Sequence, residues 1–122
     1  MNDNQLIFEA YLKENAQPVC KTDANGDKFW YINGNLHRED GPAVEWANGN
    51  KFWYINGKCH REDGPAVEYA DGSKCWYIQG KHYSDVRQWA KALLQSKNKP
   101  AEPNDVQEFL RPILTKQTKD LI

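Results

Sequence analysis

A near-perfect internal duplication constrains this chain more than any other feature. Residues 24–46 are ANGDKFWYINGNLHREDGPAVEW and residues 47–69 are ANGNKFWYINGKCHREDGPAVEY, so the 23-residue copies differ at four positions and share 19. A partial, divergent copy, PVCKTDANG, precedes them from Pro18, and an incomplete third copy, ADGSKCWYIQGK, runs from Ala70 to Lys81. Repetition at a short fixed period is typical of stacked units, each of which buries surface against the next.

Each copy carries the signals of a β-hairpin. The turn pairs lie between runs rich in aromatic and β-branched residues, at Asn25-Gly26, Asn48-Gly49 and Asp71-Gly72. Such pairs favour two-residue type I′ turns, in which both turn residues have positive φ. A type I′ turn at the second pair places Val44 opposite Trp53 and Glu45 opposite Phe52. The sequence therefore predicts a six-strand antiparallel meander of three hairpins.

This register divides the side chains of the meander between two faces. One face receives the strand tryptophans, the isoleucines and the valines, among them Trp30, Trp53, Trp76, Val44 and Val67. The other receives the remaining aromatic residues with glutamates between them: Phe29, Tyr31, Phe52, Tyr54, Tyr77, Glu45 and Glu68, with Cys75 in the phenylalanine position. Because a single-layer sheet cannot bury both faces, we expect helices on the tryptophan face and an exposed stripe on the other.

Both flanks of the repeat region have helical periodicity. Apolar residues recur at helical spacing from Val86 to Leu94 and from Val106 to Leu114, with Ser84 and Asn104 as expected N-caps. A short helix is predicted over residues 3–15. The predicted fold is a single α+β domain over residues 1–122. It consists of that helix, a single-layer antiparallel β-meander over residues 18–83 and two amphipathic helices over residues 84–122.

The repeat resembles a known sequence family. The run from Tyr54 to Gly72, YINGKCHREDGPAVEYADG, is similar to the MORN repeat, in the divergent bacterial and bacteriophage variety WYxNGKxHREDGPA. The resemblance covers residues 18–83, about half of the chain. It implies an elongated sheet of stacked hairpins that serves as a protein-interaction or assembly module. The charged HRED block replaces small residues of the eukaryotic pattern, which argues against the lipid binding proposed for some MORN proteins.

The HRED block, His37–Asp40 and again His60–Asp63, combines residue types used in catalysis and metal binding. Equivalent residues of neighbouring copies are expected ~9–10 Å apart at ~4.8 Å per strand, whereas two ligand atoms on one zinc ion lie within ~4 Å of each other. We therefore predict no metal, no cofactor and no catalytic residues. Three interpretations of the block are weighed: a loop held by arginine–carboxylate pairs, a surface that contacts a partner and, as a remote alternative, catalysis by a single copy.

Charge and cysteine content exclude some classes of function. The chain has 16 Lys and Arg against 17 Asp and Glu, and no segment is strongly basic, so binding to duplex nucleic acid is not expected. Three cysteines without paired spacing, and no apolar run of about 18 residues, favour a reduced cytoplasmic protein that does not enter a membrane. The sheet edges at Cys20–Asp23 and Lys74–Ile78 are predicted to be open, which favours a homodimer.

These observations predict a non-enzymatic module that binds a protein partner. The predicted partner-binding residues are Tyr31, Phe52, Tyr54, Tyr77, Glu45, Glu68, Arg38 and Arg61. The resemblance implies a phage or prophage accessory protein that inhibits or sequesters a host or defence-system protein in the host cytoplasm. One alternative is a sponge for a small anionic ligand such as a signalling nucleotide, bound by aromatic stacking and an arginine. Another is a hydrolase that uses His60, Glu62 and Asp63.

Overall fold

The computed structural model shows an α+β fold in which an antiparallel meander of short strands precedes two helices. It describes the backbone of residues 2–7 and 16–120 and the side chains through Gln117. The strands are β1 (Val19–Thr22), β2 (Lys28–Ile32), β3 (Asn35–Leu36), β4 (Val44–Glu45), β5 (Lys51–Phe52), β6 (Tyr54–Ile55), β7 (Lys58–Cys59), β8 (Val67–Glu68), β9 (Lys74–Ile78) and β10 (Lys81–Tyr83). The helices are α1 (residues 3–7), α2 (Val86–Ser96) and α3 (Pro103–Asp120).

The predicted architecture is confirmed. The sheet has the order β1-β2-β4-β5-β8-β9-β10, and its principal hairpins are β1–β2, β4–β5 and β8–β9. Each copy also makes a second, smaller hairpin, which joins β2 to β3, β6 to β7 and β9 to β10. The helix predicted over residues 3–15 is present over residues 3–7, and the rest of that prediction lies outside the described residues.

The turn types differ from the prediction. At Asn48-Gly49 only the glycine has positive φ, +100°. The backbone N–H of Trp46 donates to the carbonyl oxygen of Asn50 at 2.9 Å, which makes the loop three residues long. The Asn48 side chain accepts from the N–H of Asn50 at 2.9 Å and so favours this loop over the two-residue turn. Type I′ geometry, with positive φ at both residues, occurs in the smaller hairpins, at Asn33-Gly34, Asn56-Gly57 and Gln79-Gly80.

The longer turn shifts the register by one residue, and a one-residue shift moves every side chain of a strand to the opposite face. Val44 lies opposite Phe52, and Glu45 lies opposite Lys51. The predicted division between the faces was therefore wrong for the valines and glutamates. The tryptophan face carries Trp30, Trp53, Trp76, Glu45 and Glu68. The aromatic face carries Phe29, Tyr31, Trp46, Phe52, Tyr54, Tyr69 and Tyr77 around Val44 and Val67.

The two C-terminal helices pack at one end of the meander. The main buried cluster of the described residues comes from α2 and α3, and Trp76, Ile78 and Tyr83 of β9 and β10 pack against it: Trp89, Ala90, Leu93, Leu94, Val106, Leu110 and Ile113. Helix α2 contacts β9 and β10. The helices cover the tryptophan face at Trp76, as expected. At Trp30 and Trp53 arginine side chains cover the rings instead.

The helices do not start at the expected caps: α2 starts one residue later and α3 two residues earlier than predicted. Asp85, rather than Ser84, caps α2, and its carboxylate accepts from the N–H of Arg87 at 2.9 Å. Helix α3 begins at Pro103, whose missing N–H and fixed φ suit the first helical position. The carboxylate of Asp105 reaches back to the N–H of Glu102 at 3.1 Å, so Asn104 is not the cap.

The two ends of the sheet differ. Strand β9, whose edge was predicted to be open, is paired with β10, and β10 is in turn contacted by α2. Within the described ranges β1 pairs with β2 alone, and all four of its residues are exposed. No described helix combines the length and the apolar character that crossing a membrane requires.

Trp89 carries the junction between the sheet and the helices. Its side chain is fully buried, so we expect Trp89→Ala to lower the free energy of unfolding by about 3–5 kcal/mol. Urea denaturation followed by circular dichroism measures the loss. The control is Trp46→Ala, which removes the same side chain where it is 39% exposed. Equal losses in the two variants would contradict this account of the core.

Candidate functional site

On the tryptophan face, the arginine of each HRED block lies on the strand tryptophan of its own repeat. The guanidinium carbon of Arg38 is 4.0 Å from the centre of the Trp30 ring, and that of Arg61 is 4.0 Å from the centre of the Trp53 ring. Stacking of this kind contributes about 0.5–2 kcal/mol, and more as it is desolvated. The side chain of Arg61 is 10% exposed, so its stack lies in the stronger part of that range.

Hydrogen bonds fix each guanidinium in place. Arg61 Nε donates to Asp63 at 2.8 Å, and Nη1 donates to the carbonyl oxygen of Pro65 at 3.0 Å and to Glu68 at 3.2 Å. Arg38 makes the equivalent bonds to Asp40 at 3.0 Å and to the carbonyl oxygen of Pro42 at 3.2 Å. The HRED arginines are therefore structural ties between loop and strand, as the first interpretation of the block predicts.

The glycine that follows the HRED block makes room for this arginine. A Cβ atom on Gly41 would lie 2.9 Å from Arg38 Cζ, and one on Gly64 would lie 2.8 Å from Arg61 Cζ. Neither glycine has positive φ, so the requirement is for space rather than for an unusual backbone conformation. The sequence HREDGP thus encodes a single packed unit.

The third copy replaces the arginine with a residue from a helix. By repeat register the position of Arg38 and Arg61 is Ser84, which cannot cover Trp76. Trp89 of α2 takes that place, with its ring centre 4.7 Å from that of Trp76. Its indole N–H donates to the carbonyl oxygen of Tyr77 at 3.3 Å. Helix α2 therefore ends the series of repeats by filling the site that an arginine fills in the complete copies.

The HRED histidines connect one copy to the next. His37 Nδ1 accepts from the N–H of Asn56 at 3.0 Å, and His60 Nδ1 accepts from the N–H of Gln79 at 2.9 Å. Each bond reaches the type I′ turn of the following copy. Because Nδ1 accepts a hydrogen bond, the ring proton is on Nε2, which in His60 faces Glu62 at 3.0 Å. Nδ1 of His60 thus links two copies, and its Nε2 contacts a carboxylate of the same HRED block.

Glu62 joins the second HRED block to the C-terminal helices. Its carboxylate lies 2.7 Å from Lys97 Nζ, just beyond α2, and 3.0 Å from His60 Nε2. Hydrogen bonds from Lys97 and then from His60 hold the pKa of Glu62 below its usual range. Within the described part of the chain no three His, Cys, Asp or Glu side chains are placed to share a metal ion.

Among the described residues, contacts between rings, rather than ion pairs, hold the aromatic face together. Phe29 meets Trp46 edge to face, with 5.5 Å between ring centres, and Phe52 meets Tyr69 in the same way at 6.1 Å. These rings lie over Val44 and Val67, which are 4% and 3% exposed. The sheet thus buries its small residues beneath its own aromatic side chains, whose outer surfaces remain accessible: Trp46 is 39% exposed and Tyr69 38%.

Tyrosines and cysteines adjoin one another toward the third copy. Burial raises the pKa of Tyr54 and of Tyr77, and the neighbouring Cys59 raises both further. Burial also raises the pKa of the Cys59 thiol to about 12, so this thiol is protonated at neutral pH and is a poor nucleophile. All three cysteines are free thiols. Cys59 and Cys75 act here as apolar packing groups.

The structure separates the predicted binding residues into two sets. Four lie on the aromatic face: Tyr31, Phe52, Tyr54 and Tyr77. The other four, Arg38, Arg61, Glu45 and Glu68, lie on the tryptophan face and bind one another, with Arg38 Nη1 3.6 Å from Glu45 and Arg61 Nη1 3.2 Å from Glu68. The placement of the glutamates among the tyrosines was wrong because it rested on the shifted register.

Sequence reasoning missed two residues of the aromatic face. Trp46 and Tyr69 occupy the same repeat position, just before the turn, and neither is among the predicted partner-binding residues. One signal was available, because this position keeps an aromatic ring while its identity changes between the copies.

A scan against protein families, a search of the curated proteins and a search of the solved structures each find no match.

Replacing Arg61 tests the arginine clamp, by which we mean the stacking of the arginine on the strand tryptophan together with its hydrogen bonds to the loop and the next strand. Lysine keeps the charge but loses the flat stacked group and the forked donors, so Arg61→Lys is expected to cost about 1–3 kcal/mol of unfolding free energy. Urea denaturation measures the difference. Arg87→Lys, on the exposed surface of α2, is the control and is expected to change stability by under about 0.5 kcal/mol. The clamp is not structural if the two substitutions have the same effect.

Glu62 predicts a pH dependence of stability. Because its folded-state pKa is lowered, ionised Glu62 stabilises the fold at neutral pH, and this contribution is lost as the pH falls through the folded pKa. Glu62 is 45% exposed, so Glu62→Gln is expected to cost no more than about 1 kcal/mol at pH 7. The cost of the substitution should disappear in acid, where Glu62 of the wild type is protonated and therefore neutral, as glutamine is. The cost should also shrink at high salt. A cost independent of pH would contradict the ionic account.

Proposed function

We propose that this chain is a non-enzymatic protein-binding module and that its partner docks on the aromatic face. The observation that supports the proposal most is the difference between the two faces of one sheet. On the tryptophan face, arginines and carboxylates bind each other and cover the rings. On the aromatic face, Trp46 and Tyr69 keep more than a third of their surface exposed.

The chemistry of the aromatic face suits protein recognition. Tyrosine and tryptophan supply large, rigid contact areas with a polar tip, and they are enriched among residues that dominate binding energy. The rings are already positioned by edge-to-face contacts, such as that of Phe52 with Tyr69. Little side-chain freedom remains to be lost on binding, and a preorganised surface binds more tightly for a given area.

The repeats give this surface a shape as well as a composition. Equivalent rings of successive copies, such as Phe29 and Phe52, are separated by one intervening strand, a distance of about 9–10 Å. A partner that contacts three copies therefore meets a row of apolar side chains at regular spacing. An extended segment or a helix of another protein that carries apolar residues along one side fits this description.

The resemblance to phage-type MORN-like repeats suggests the biological setting. We propose that the partner is a host or defence-system protein in the cytoplasm, which this module inhibits or sequesters by occupying its surface. The support is the similarity of the HREDGPA-containing copies, residues 24–69, to that variety of repeat. The free thiols are compatible with a reducing compartment.

The alternative of a small anionic ligand has less support. The cleft between the two HRED loops has a volume of about 310 Å³, near the lower end of small-molecule sites. Its lining includes Arg38 and Arg61, but also three carboxylates, Glu39, Glu62 and Asp63. Both guanidiniums are held by protein acceptors, so a phosphate would have to displace existing ion pairs in a cleft with more acidic than basic groups.

The interaction hypothesis is tested with matched variants of the two faces. The wild-type chain is used to capture its partner from host lysate, and mass spectrometry identifies that partner. The double variant Tyr31→Ala/Tyr54→Ala is expected to weaken binding at least tenfold, because tyrosine is enriched among the interface residues whose truncation costs about 2 kcal/mol or more. The control, Lys28→Ala/Lys51→Ala, changes exposed residues of the opposite face.

Circular dichroism and thermal denaturation first establish that both double variants are folded. The proposed docking face is wrong if the tyrosine variant is folded and binds the partner as the wild type does.

A thermal-shift scan with nucleotides tests the alternative, since a ligand at 100 times its Kd stabilises the fold by about 2.7 kcal/mol. If a nucleotide produces such a shift and Arg61→Lys abolishes the shift, the small-ligand sponge would be favoured.

A further inference from the structure

A large groove lies at the helical end of the molecule, away from the aromatic face. It is formed by α2, α3 and β10 and has an open volume of about 1430 Å³. Small-molecule sites typically occupy about 300–1,000 Å³, so this groove exceeds what a small ligand fills. Its dimensions suit a segment of polypeptide.

The groove has an apolar floor and a basic rim. The floor includes the buried side chains of Val106 and Leu110 and the partly buried Ala92, Ala101 and Tyr83. Five cationic residues line it, Lys81, Arg87, Lys91, Lys99 and Arg111, against two acidic ones, Asp85 and Glu102. Asp85 is further engaged as the cap of α2. The groove therefore favours an occupant that is apolar along one side and acidic.

The N-terminal segment of the chain has this chemistry. Residues 2–15 contain three acidic residues and one lysine. In α1, Leu6 is 51% exposed and Ile7 is 68% exposed, so these apolar side chains are largely open to solvent. An isolated helix of this length is marginal in water, and docking its apolar side in a groove would stabilise it.

The spacing of the acidic residues strengthens the match. On the helix that the sequence predicts over residues 3–15, Asp3, Ile7, Ala10 and Glu14 follow one another at intervals of four, three and four, and so lie on one stripe. Leu6 and Tyr11 flank that stripe. A helix side with apolar residues in its middle and a carboxylate at each end complements a groove with an apolar floor and a basic rim.

Chain length favours a second molecule as the source of the helix. Six strand intervals separate β1 from β10 in the order of the sheet, which is about 29 Å at about 4.8 Å per interval. If the predicted helix reaches residue 15, the stretch from Ile7 to Val19 spans about 12 Å as helix and about 14 Å as extended chain. With that helix docked in the groove, only the extended stretch of about 14 Å remains to bridge the 29 Å, so it falls short of the groove of the same molecule.

We propose that the groove between α2 and α3 binds the N-terminal segment, residues 2–15, of a second copy of this chain. Two copies that lie antiparallel bring each N-terminal segment to the groove of the other, and both grooves are filled in one closed, two-fold symmetric dimer. The assembly leaves the aromatic face outside the contact, so it is independent of the proposed function.

Light scattering coupled to size-exclusion chromatography tests the dimer. The wild-type chain is expected at twice its 14.1 kDa monomer mass. Two single variants should each weaken the dimer at least tenfold: Ile7→Glu, which changes the exposed face of α1, and Lys91→Glu, which reverses a charge of the groove. Lys58→Glu, an exposed charge reversal in β7, is the control and should leave the dimer intact. Both α1 and the rim are exposed, so these variants should fold.

Mixing the two variants separates this dimer from other arrangements. Ile7→Glu keeps a functional groove and Lys91→Glu keeps a functional N-terminal segment, so the mixture can restore one of the two contacts. We expect heterodimers in the mixture at concentrations where each variant alone is monomeric. A monomeric wild type, a dimer that neither substitution weakens, or a mixture without heterodimers would each overturn the proposal.

Discussion

The contact between an arginine side chain and a tryptophan ring holds each complete repeat together. Arg61 lies flat on Trp53, is tied to Asp63 and Glu68, and closes the loop on the strand eight residues before it. This one contact covers an aromatic ring that a single-layer sheet would leave in water, and it satisfies the charges of the loop. The glycine of HREDGP provides the space for it.

The way the repeat array ends at the third copy follows from the absence of that arginine–tryptophan contact. The third copy has no arginine in register, and Trp89 covers Trp76 in its place. The helical core is thereby attached to the last repeat rather than spread across the sheet, and it ends the array. Repeat arrays need such a closing element, since a terminal repeat lacks a neighbour that would cover its inner surface.

Local patterns predicted the elements of this fold well and their relative orientation poorly. Three hairpins followed from the repeat, and the buried residues of α2, such as Trp89 and Leu93, followed from helical spacing. The assignment of faces failed because Asn48-Gly49 was taken for a two-residue turn, whereas Asn48 binds Asn50 and makes a longer loop. That single residue moved Glu45 from the predicted binding surface to the arginine clamp.

The sequence by itself determined the repeating unit, the number of principal hairpins and the apolar sides of the C-terminal helices, because these depend on spacing along the chain. Tertiary structure alone decided which face each strand residue occupies and which groups cover the tryptophans. Those outcomes depend on the turn that sets the register and on side chains that meet across a loop. The aromatic face and the basic groove emerge at that level, since each combines residues from several elements.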